Sequence, residues 1–309
     1  MKLLVMVNPL AGGGRTLSVV PRLKTVFERS GHCCQWRITG SVADIQSLIV
    51  AASKSGIDGV LIAGGDGTIS YALPALLKTD LPVGIIPCGR GNDFARNLGL
   101  PLDIAEAACF PRQPVTRMVD IATVNEKPFA SVACVGFDAR VNELANKPHR
   151  IFKGRSVFVY SVLKALKSFE PFAIDVSIDN DRWKGAIMMA AIANGGCYGG
   201  GMRIAPEADL EDGLLNICIV RKTSKWTFLK NFPRVFRGQH INHPDVLMLT
   251  GRKIEITSVS RQAVFADGER ISHLPLICAV GKHHLKILYP RIQTPKGGEH
   301  AQRSRQARR

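Results

Sequence analysis

The stretch Gly59-Val60-Leu61-Ile62-Ala63-Gly64-Gly65-Asp66-Gly67-Thr68 decides the fold. Its first five residues carry no polar side chain and have strand length. Such uninterrupted apolar runs belong to parallel sheets covered by helices on both faces. Residues 69–78 then read as a helix. A strand, a glycine turn and a helix in that order present backbone N–H groups and a helix N-terminus to an anion. Any Cβ in the turn would bar close approach, and Thr68 has the side chain of a helix cap. Asp66 would repel a phosphate unless a metal ion or a substrate hydroxyl stands between them.

The same rhythm extends through the first 120 residues. Strands are expected at 3–7, 34–38, 59–63 and 83–87, with helices at 18–30, 42–55, 69–78 and 92–98. Two further glycine loops end strands: Asn8-Pro9-Leu10-Ala11-Gly12-Gly13-Gly14-Arg15 and Gly89-Arg90-Gly91-Asn92-Asp93-Phe94. Neither is a P-loop or a complete G-x-G-x-x-G fingerprint. Three such loops at the carboxyl ends of strands in one sheet nevertheless mark the ligand edge of an open α/β fold, with Arg15 and Arg90 as phosphate partners.

After about Asp120 the pattern turns to hairpins. Strands are expected at 118–124, 129–134, 172–178, 183–193, 213–220, 246–256 and 262–266, with helices at 156–168 and 224–236. Asn125-Glu126-Lys127-Pro128 and Asp179-Asn180-Asp181 have turn composition. This half reads as a mostly antiparallel β-sandwich. A last strand at 285–288 is open to pairing with either half. The division expected is an α/β nucleotide-binding domain over 1–120, a β-sandwich over 121–290, and a basic disordered tail over 291–309.

The chain has 309 residues, enough for two domains. Hydrophobic residues make up 46% and charged residues 21%, which excludes disorder for most of it. Lys and Arg number 41 against 25 acids, a net charge of +16 that favours anionic partners. Six of those bases and one Glu lie beyond Pro290, so the remainder still carries +11. No run approaches the roughly 18 apolar residues of a membrane helix. The eight cysteines are scattered without a C-x-x-C pair, which points to reduced thiols and a cytoplasmic setting.

Acids beside glycine recur at Leu210-Glu211-Asp212-Gly213-Leu214 and Ala266-Asp267-Gly268-Glu269. In order along the chain stand Asn8-Pro9, Gly64-Gly65-Asp66-Gly67-Thr68, Pro87 to Ala95 with Asn92-Asp93-Phe94, Val119-Asp120-Ile121, Ala205-Pro206 with Asp212-Gly213, and Asp267-Gly268-Glu269. This set resembles the soluble bacterial lipid kinases of the diacylglycerol-kinase catalytic family, over nearly the whole chain from Leu3 to Tyr289. The resemblance implies an ATP- and Mg²⁺-dependent kinase of lipid hydroxyls, with diacylglycerol the default acceptor. It implies nucleotide contacts at Asn8, Gly12, Thr39, Gly64, Gly65, Asp66, Gly67, Thr68, Arg90 and Asn92. It further implies an acidic network of Asp66, Asp120 and Asp212 with Mg²⁺, a metal site at Asp209, Asp212 and the Leu214 backbone, and Glu269 as general base. A carboxylate crowded by others would gain the basicity that proton removal needs. Arg90 stands where relatives often carry Thr, and Asp209 where some carry Lys.

NAD kinases share the Gly-Gly-Asp-Gly-Thr loop and are the nearest alternative; a non-catalytic binder of anionic ligands is another. Nucleic acid is not expected as a partner, since no RRM, KH or helix-turn-helix signature is present. A lipid kinase of this kind would sit peripherally on the inner face of the membrane, and a homodimer is left open. Two stretches compete as the docking face: 222–237, with Phe228, Phe232 and Phe236 at helical spacing among Lys and Arg, and the basic stretch 147–155.

Overall fold

A computed structural model describes residues 1–110, 113–147 and 155–290. Of the basic stretch named above, 148–154 lie outside the described residues, as does the tail 291–309.

Four parallel strands, β1 (Lys2–Val7), β2 (Cys33–Ile38), β3 (Gly59–Gly64) and β4 (Val83–Pro87), lie in the order β4-β3-β1-β2. Alternation along each strand divides their side chains between two cores. Leu3, Val5, Val7, Leu61 and Ile86 face Leu23 and Phe27 of helix α1 (Thr16–Ser30), together with Phe110. Leu4, Met6, Val60, Ile62 and Ile85 face Ile45 and Ile49 of α2 (Val42–Ser53) and Ile69 and Leu73 of α3 (Asp66–Leu76). Helices on both faces explain why β1, β3 and β4 read as continuous apolar runs, whereas β2, at the sheet edge, is largely exposed. Two short helices follow, α4 (Asp93–Asn97) and α5 (Ile104–Ala107).

The second half is an antiparallel β-sandwich around one large core, with a small separate cluster at Cys134, Ala139 and Phe265. Its strands are β5 (Val115–Val124), β6 (Lys127–Phe129), β7 (Val132–Gly136), β8 (Phe172–Ile178), β9 (Asp181–Ala193), β10 (Leu215–Arg221), β11 (Val246–Gly251), β12 (Lys253–Thr257), β13 (Ala263–Ala266), β14 (Glu269–His273) and β15 (Leu276–Tyr289). Helices α6 (Phe137–Ala145) and α7 (Arg155–Ser168) follow β7, and α8 (Lys225–Asn231) follows β10.

Several expected elements are redrawn by local chemistry. The run 129–134 is two strands: Phe129 ends β6, which pairs with β5, whereas β7 pairs with β9 and β13. The run 246–256 is β11 and β12, broken where the Asp179 carboxylate accepts the backbone N–H groups of Arg252 and Lys253. The helix expected over 224–236 ends at Asn231 and continues as a 3₁₀ turn, Phe232–Arg237, because Pro233 lacks the N–H an α-helix needs. Helix α6 and strand β14 were not anticipated, each being a short segment without a clean period.

The last strand is longer than expected and joins both halves. Leu276 to Ala279 pair with β12, Ile287 pairs in parallel with Val83 of β4, and β5 runs antiparallel along its length. The mixed sheet is therefore continuous from the sandwich to the nucleotide-type sheet. Ile287 is fully buried at this junction. Ile287→Ala should destabilise the protein by about 2–5 kcal/mol, measured by urea unfolding with far-ultraviolet circular dichroism.

Candidate active site

The three glycine loops meet because β1, β3 and β4 are neighbours. Asn8 donates its side-chain amide to the Thr68 hydroxyl at 2.8 Å, tying the first loop to α3. A Cβ on Gly12 would stand 2.5 Å from the Cys88 carbonyl oxygen, and one on Gly89 would stand 2.6 Å from the Gly65 Cα. The loops therefore touch backbone to backbone. The guanidinium of Arg90 lies over Gly13. Gly65, not Thr68, is the cap of α3; Thr68 sits inside the first turn, buried, with its hydroxyl receiving Asn8.

Two of the expected contacts turn inward. Thr39 is buried and its hydroxyl donates to the Val7 carbonyl. Asn92, at φ 54°, accepts from the Gly89 N–H at 2.7 Å and donates back to the Gly89 carbonyl, folding its own loop.

The carboxylates fall into two groups. In the first, Asp66 opens α3 and one of its oxygens accepts the Phe94 N–H at 3.0 Å. Asp93 accepts from Gly200 and Gly201, both at 2.8 Å. Burial raises its pKa, the charge of Asp66 adds to that, and the two backbone bonds oppose it. Asp267 accepts from Ala130, Ser131 and Val132, and burial pushes it up to about 6 against those three bonds. In the second group, Asp120 accepts from Gly213 at 2.8 Å and faces His284 at 2.9 Å. Asp209 and Asp212 each accept a backbone N–H two residues on, from Glu211 and Leu214. Partial burial, then the charges of Asp209 and Asp120, raise the Asp212 pKa.

Among the described residues no three His, Cys, Asp or Glu side chains converge as a metal cage. The 209–214 turn does offer hard oxygens, each carboxylate keeping one outside these bonds, and that donor set fits a hydrated hard cation.

Glu269 is exposed and accepts the Tyr71 hydroxyl at 3.0 Å. The crowding expected around it belongs instead to Asp267, two residues earlier.

A cleft of about 690 Å³ is lined by the first group of carboxylates; Asp120, Asp209, Asp212 and Glu269 lie outside its lining. Asp66, Arg90, Gly91 and Asp93 line it from the first half, and Ser131, Asp138, Tyr198, Asp267 and Gly268 from the second. Phe137, Val141, Val159, Val162, Phe232 and Phe236 supply carbon walls. Asn97 bridges the halves at its margin, bonding Cys197 and Ser131. Asp93 and Asp267 stood inside motifs already noted. Asp138 and Tyr198 had no signal beyond their residue type, since their meeting depends on strands far apart in sequence.

Residues 2–124 match the diacylglycerol kinase catalytic domain, and residues 131–289 match the YegS C-terminal NAD kinase beta sandwich-like domain. The chain is 32% identical over 300 residues to a diacylglycerol kinase of Mycobacterium tuberculosis, covering 94% of this chain and 96% of that one. It is 27% identical over 293 residues to a diacylglycerol kinase of Bacillus subtilis, covering 93% and 96%. A solved diacylglycerol kinase from Bacillus anthracis has the same fold, with a TM-score of 0.71 at 24% identity over 93% of this chain and 96% of that one. The chain belongs to the diacylglycerol kinase catalytic domain family and is a kinase of the lipid class.

Replacing Asp120 with Ala would strand the Gly213 N–H and His284. Asp120→Ala should cost about 1–3 kcal/mol and open the 209–214 turn to protease, read by limited proteolysis and mass spectrometry.

Proposed function

We propose that the protein transfers the γ-phosphoryl group of ATP to the hydroxyl of a lipid, with diacylglycerol the default acceptor by family. The observation that carries this is the make-up of the cleft: Asp66, Arg90 and Gly91 from two of the glycine loops, with Asp93 and Asp267, share one cavity with Phe137, Val162, Phe232 and Phe236. Phosphoryl transfer is mainly positioning and charge stabilisation, and an acceptor with alkyl chains needs the carbon walls.

In this reading the Asn8, Gly12, Gly64, Gly65, Gly67 and Thr68 backbones and the Arg90 guanidinium hold the triphosphate. Asp66 points its uncommitted oxygen into the cleft, where Mg²⁺ bound with ATP would neutralise charge between phosphates. Asp209, Asp212 and the Leu214 carbonyl would hold a second cation beside Asp120, where it would offset the charge of these carboxylates. Glu269, oriented by Tyr71, takes the proton of the lipid hydroxyl. Thr39 and Asn92 shape the loops without touching nucleotide. Residues 1–120 then serve as the nucleotide domain and 121–290 as the lipid domain.

No helix among the described residues is long and apolar enough to cross a membrane. Extracting alkyl chains into water costs about 0.8 kcal/mol per CH₂, so the enzyme must meet its substrate on a bilayer. The rim of the cleft suits that. Val159 and Leu163 are exposed one turn apart on α7, and Trp226 is 81% exposed. Phe228 is buried against Phe137, while Phe236 reaches the surface. Lys225 is committed to Glu170 and the Lys167 carbonyl, which leaves Lys230, Arg234 and Arg237 to meet anionic headgroups.

Asp66→Ala should abolish ATP-dependent lipid phosphorylation in mixed micelles while the protein stays folded. Glu269→Gln should lower kcat by roughly 10²–10⁴-fold with KM for ATP unchanged; a change confined to KM for ATP would make Glu269 a nucleotide contact.

Replacing Lys230, Arg234 and Arg237 together with Gln removes about 1 kcal/mol of headgroup attraction each. Binding to anionic vesicles at low salt should fall roughly 100-fold, with ATP affinity retained. Unaltered sedimentation with vesicles would move the docking face elsewhere.

A further inference from the structure

Asp138, the second residue of α6, is 7% exposed and takes no part in the chemistry described above. Its Oδ2 accepts the Tyr198 hydroxyl. Among the described residues it makes no other hydrogen bond and pairs with no cation. Burial alone pushes its carboxyl up to about 7. Its charge in turn helps push up the buried thiols of Cys134 and Cys218, so its near neighbours are neutral.

Asp138, Tyr198, Met202 and Phe232 line the main cleft and also a smaller pocket behind it, of about 60 Å³. That pocket is walled largely by carbon, including Ile204, Phe228 and Val235. A carboxylate therefore stands on a largely hydrophobic wall with one oxygen engaged by Tyr198 and the other, among the described residues, given no protein partner and left to the cleft. Once a lipid displaces water from the cleft, such an oxygen is strongly disfavoured unless the lipid itself supplies a donor. Tyr198 cannot, because its single O–H is already given to Oδ2.

The lipid acceptor is the molecule that reaches this wall, and its chemistry can be matched to it. Diacylglycerol has one hydroxyl, which is the group phosphorylated; its two esters are acceptors only. It would leave the Asp138 oxygen unmatched. A lipid with a second hydroxyl, or an ammonium group, beside the reacting hydroxyl would satisfy it.

We propose that Asp138, fixed by Tyr198, receives a second hydrogen-bond donor of the lipid, so that the enzyme favours an acceptor bearing such a donor over the same lipid without it. This rests on the lipid-kinase reading and narrows its substrate class. Asp138 is then a substrate-orienting residue, and a site that hydrogen-bonds a substrate hydroxyl discriminates strongly against an analogue lacking it.

The test uses the full chain with ATP and Mg²⁺ in mixed micelles, at a pH above the Asp138 titration. Four acceptors are compared: 1-monoacylglycerol, the same lipid with its non-reacting hydroxyl methylated, a sphingoid base, and diacylglycerol. For wild type, kcat/KM should be roughly 10- to 100-fold higher for monoacylglycerol than for its methyl ether, the difference lying in KM for lipid. Ranking the sphingoid base against monoacylglycerol tells whether an ammonium or a hydroxyl is the better donor. Asp138→Leu, which removes the charge from an apolar site, should erase the gap between monoacylglycerol and its ether while KM for ATP stays the same. Tyr198→Phe should narrow it. Equal use of the ether and of monoacylglycerol by wild type overturns the proposal without any variant having to fold, as does a gap that survives in folded Asp138→Leu. Phosphorylation of no lipid in the panel would instead overturn the lipid-kinase reading on which it stands.

Discussion

Gly65 and Gly89 approach so closely that a Cβ on either would stand within 3 Å of the other's Cα, and the geometry of the cleft follows from that contact. Two neighbouring parallel strands, β3 and β4, can bring their exit loops this near only when neither loop carries a side chain at the crossing. Once they touch, Asp66 falls at the first turn of α3 with Phe94 donating to it, and Arg90 is carried over Gly13 of the next loop. The N-terminus of α3, where unpaired N–H groups and the helix dipole both favour anions, opens at the same place. Side-chain recognition is secondary in the proposed site; backbone proximity would make the anion cradle and fixes the carboxylate beside it.

Three of the acids in the motifs, and Asp179 outside them, serve the architecture. Asp93 holds the 200–201 turn, Asp267 holds the start of β7, Asp120 holds Gly213, and Asp179 holds the turn between β11 and β12. In each case a carboxylate accepts backbone N–H groups from a segment distant in sequence. Charge-assisted bonds of this kind are among the stronger ones a protein can make, and three of the four clamps lie at or beside the seam between the halves. They allow a cleft of about 690 Å³ to keep its walls in register while β15 runs through both halves.

The sequence was most legible where one physical demand acts on consecutive residues. Burial on both faces wrote β1, β3 and β4 as unbroken apolar runs, and the need for close approach wrote the glycines after them. It was less legible where partners are remote. Thr68 looks like a cap by type, yet the hydroxyl is taken by Asn8 from a neighbouring strand. Thr39 and Asn92 look like ligand contacts, yet nearby carbonyls and N–H groups claim them first. Glu269 was expected among other carboxylates, but the β13–β14 hairpin turns it outward to Tyr71 and leaves Asp267 inside. Asp138 and Tyr198 are 60 residues apart and meet only because β7 and β9 are paired.

A kinase with a soluble donor and an insoluble acceptor has to exclude water from one cleft while opening it to a bilayer. In the proposed reading the aromatic residues here would answer both demands with one structure. Phe137, Phe228, Phe232 and Phe236 form a chain of ring contacts with centroids 4.8, 6.5 and 6.4 Å apart, running from the buried core at Phe137 to the exposed rim at Phe236. Phe137, Phe232 and Phe236 also line the cleft. Pro233 matters to this path: it turns the helix into a 3₁₀ segment, so the rings after it no longer follow the buried stripe of α8. Without that break Phe236 would continue the face on which Phe228 is buried. With it, the same row of rings leaves the core, walls the cleft and reaches solvent beside Arg234 and Arg237, so the surface that would touch lipid is continuous with the surface that would receive it.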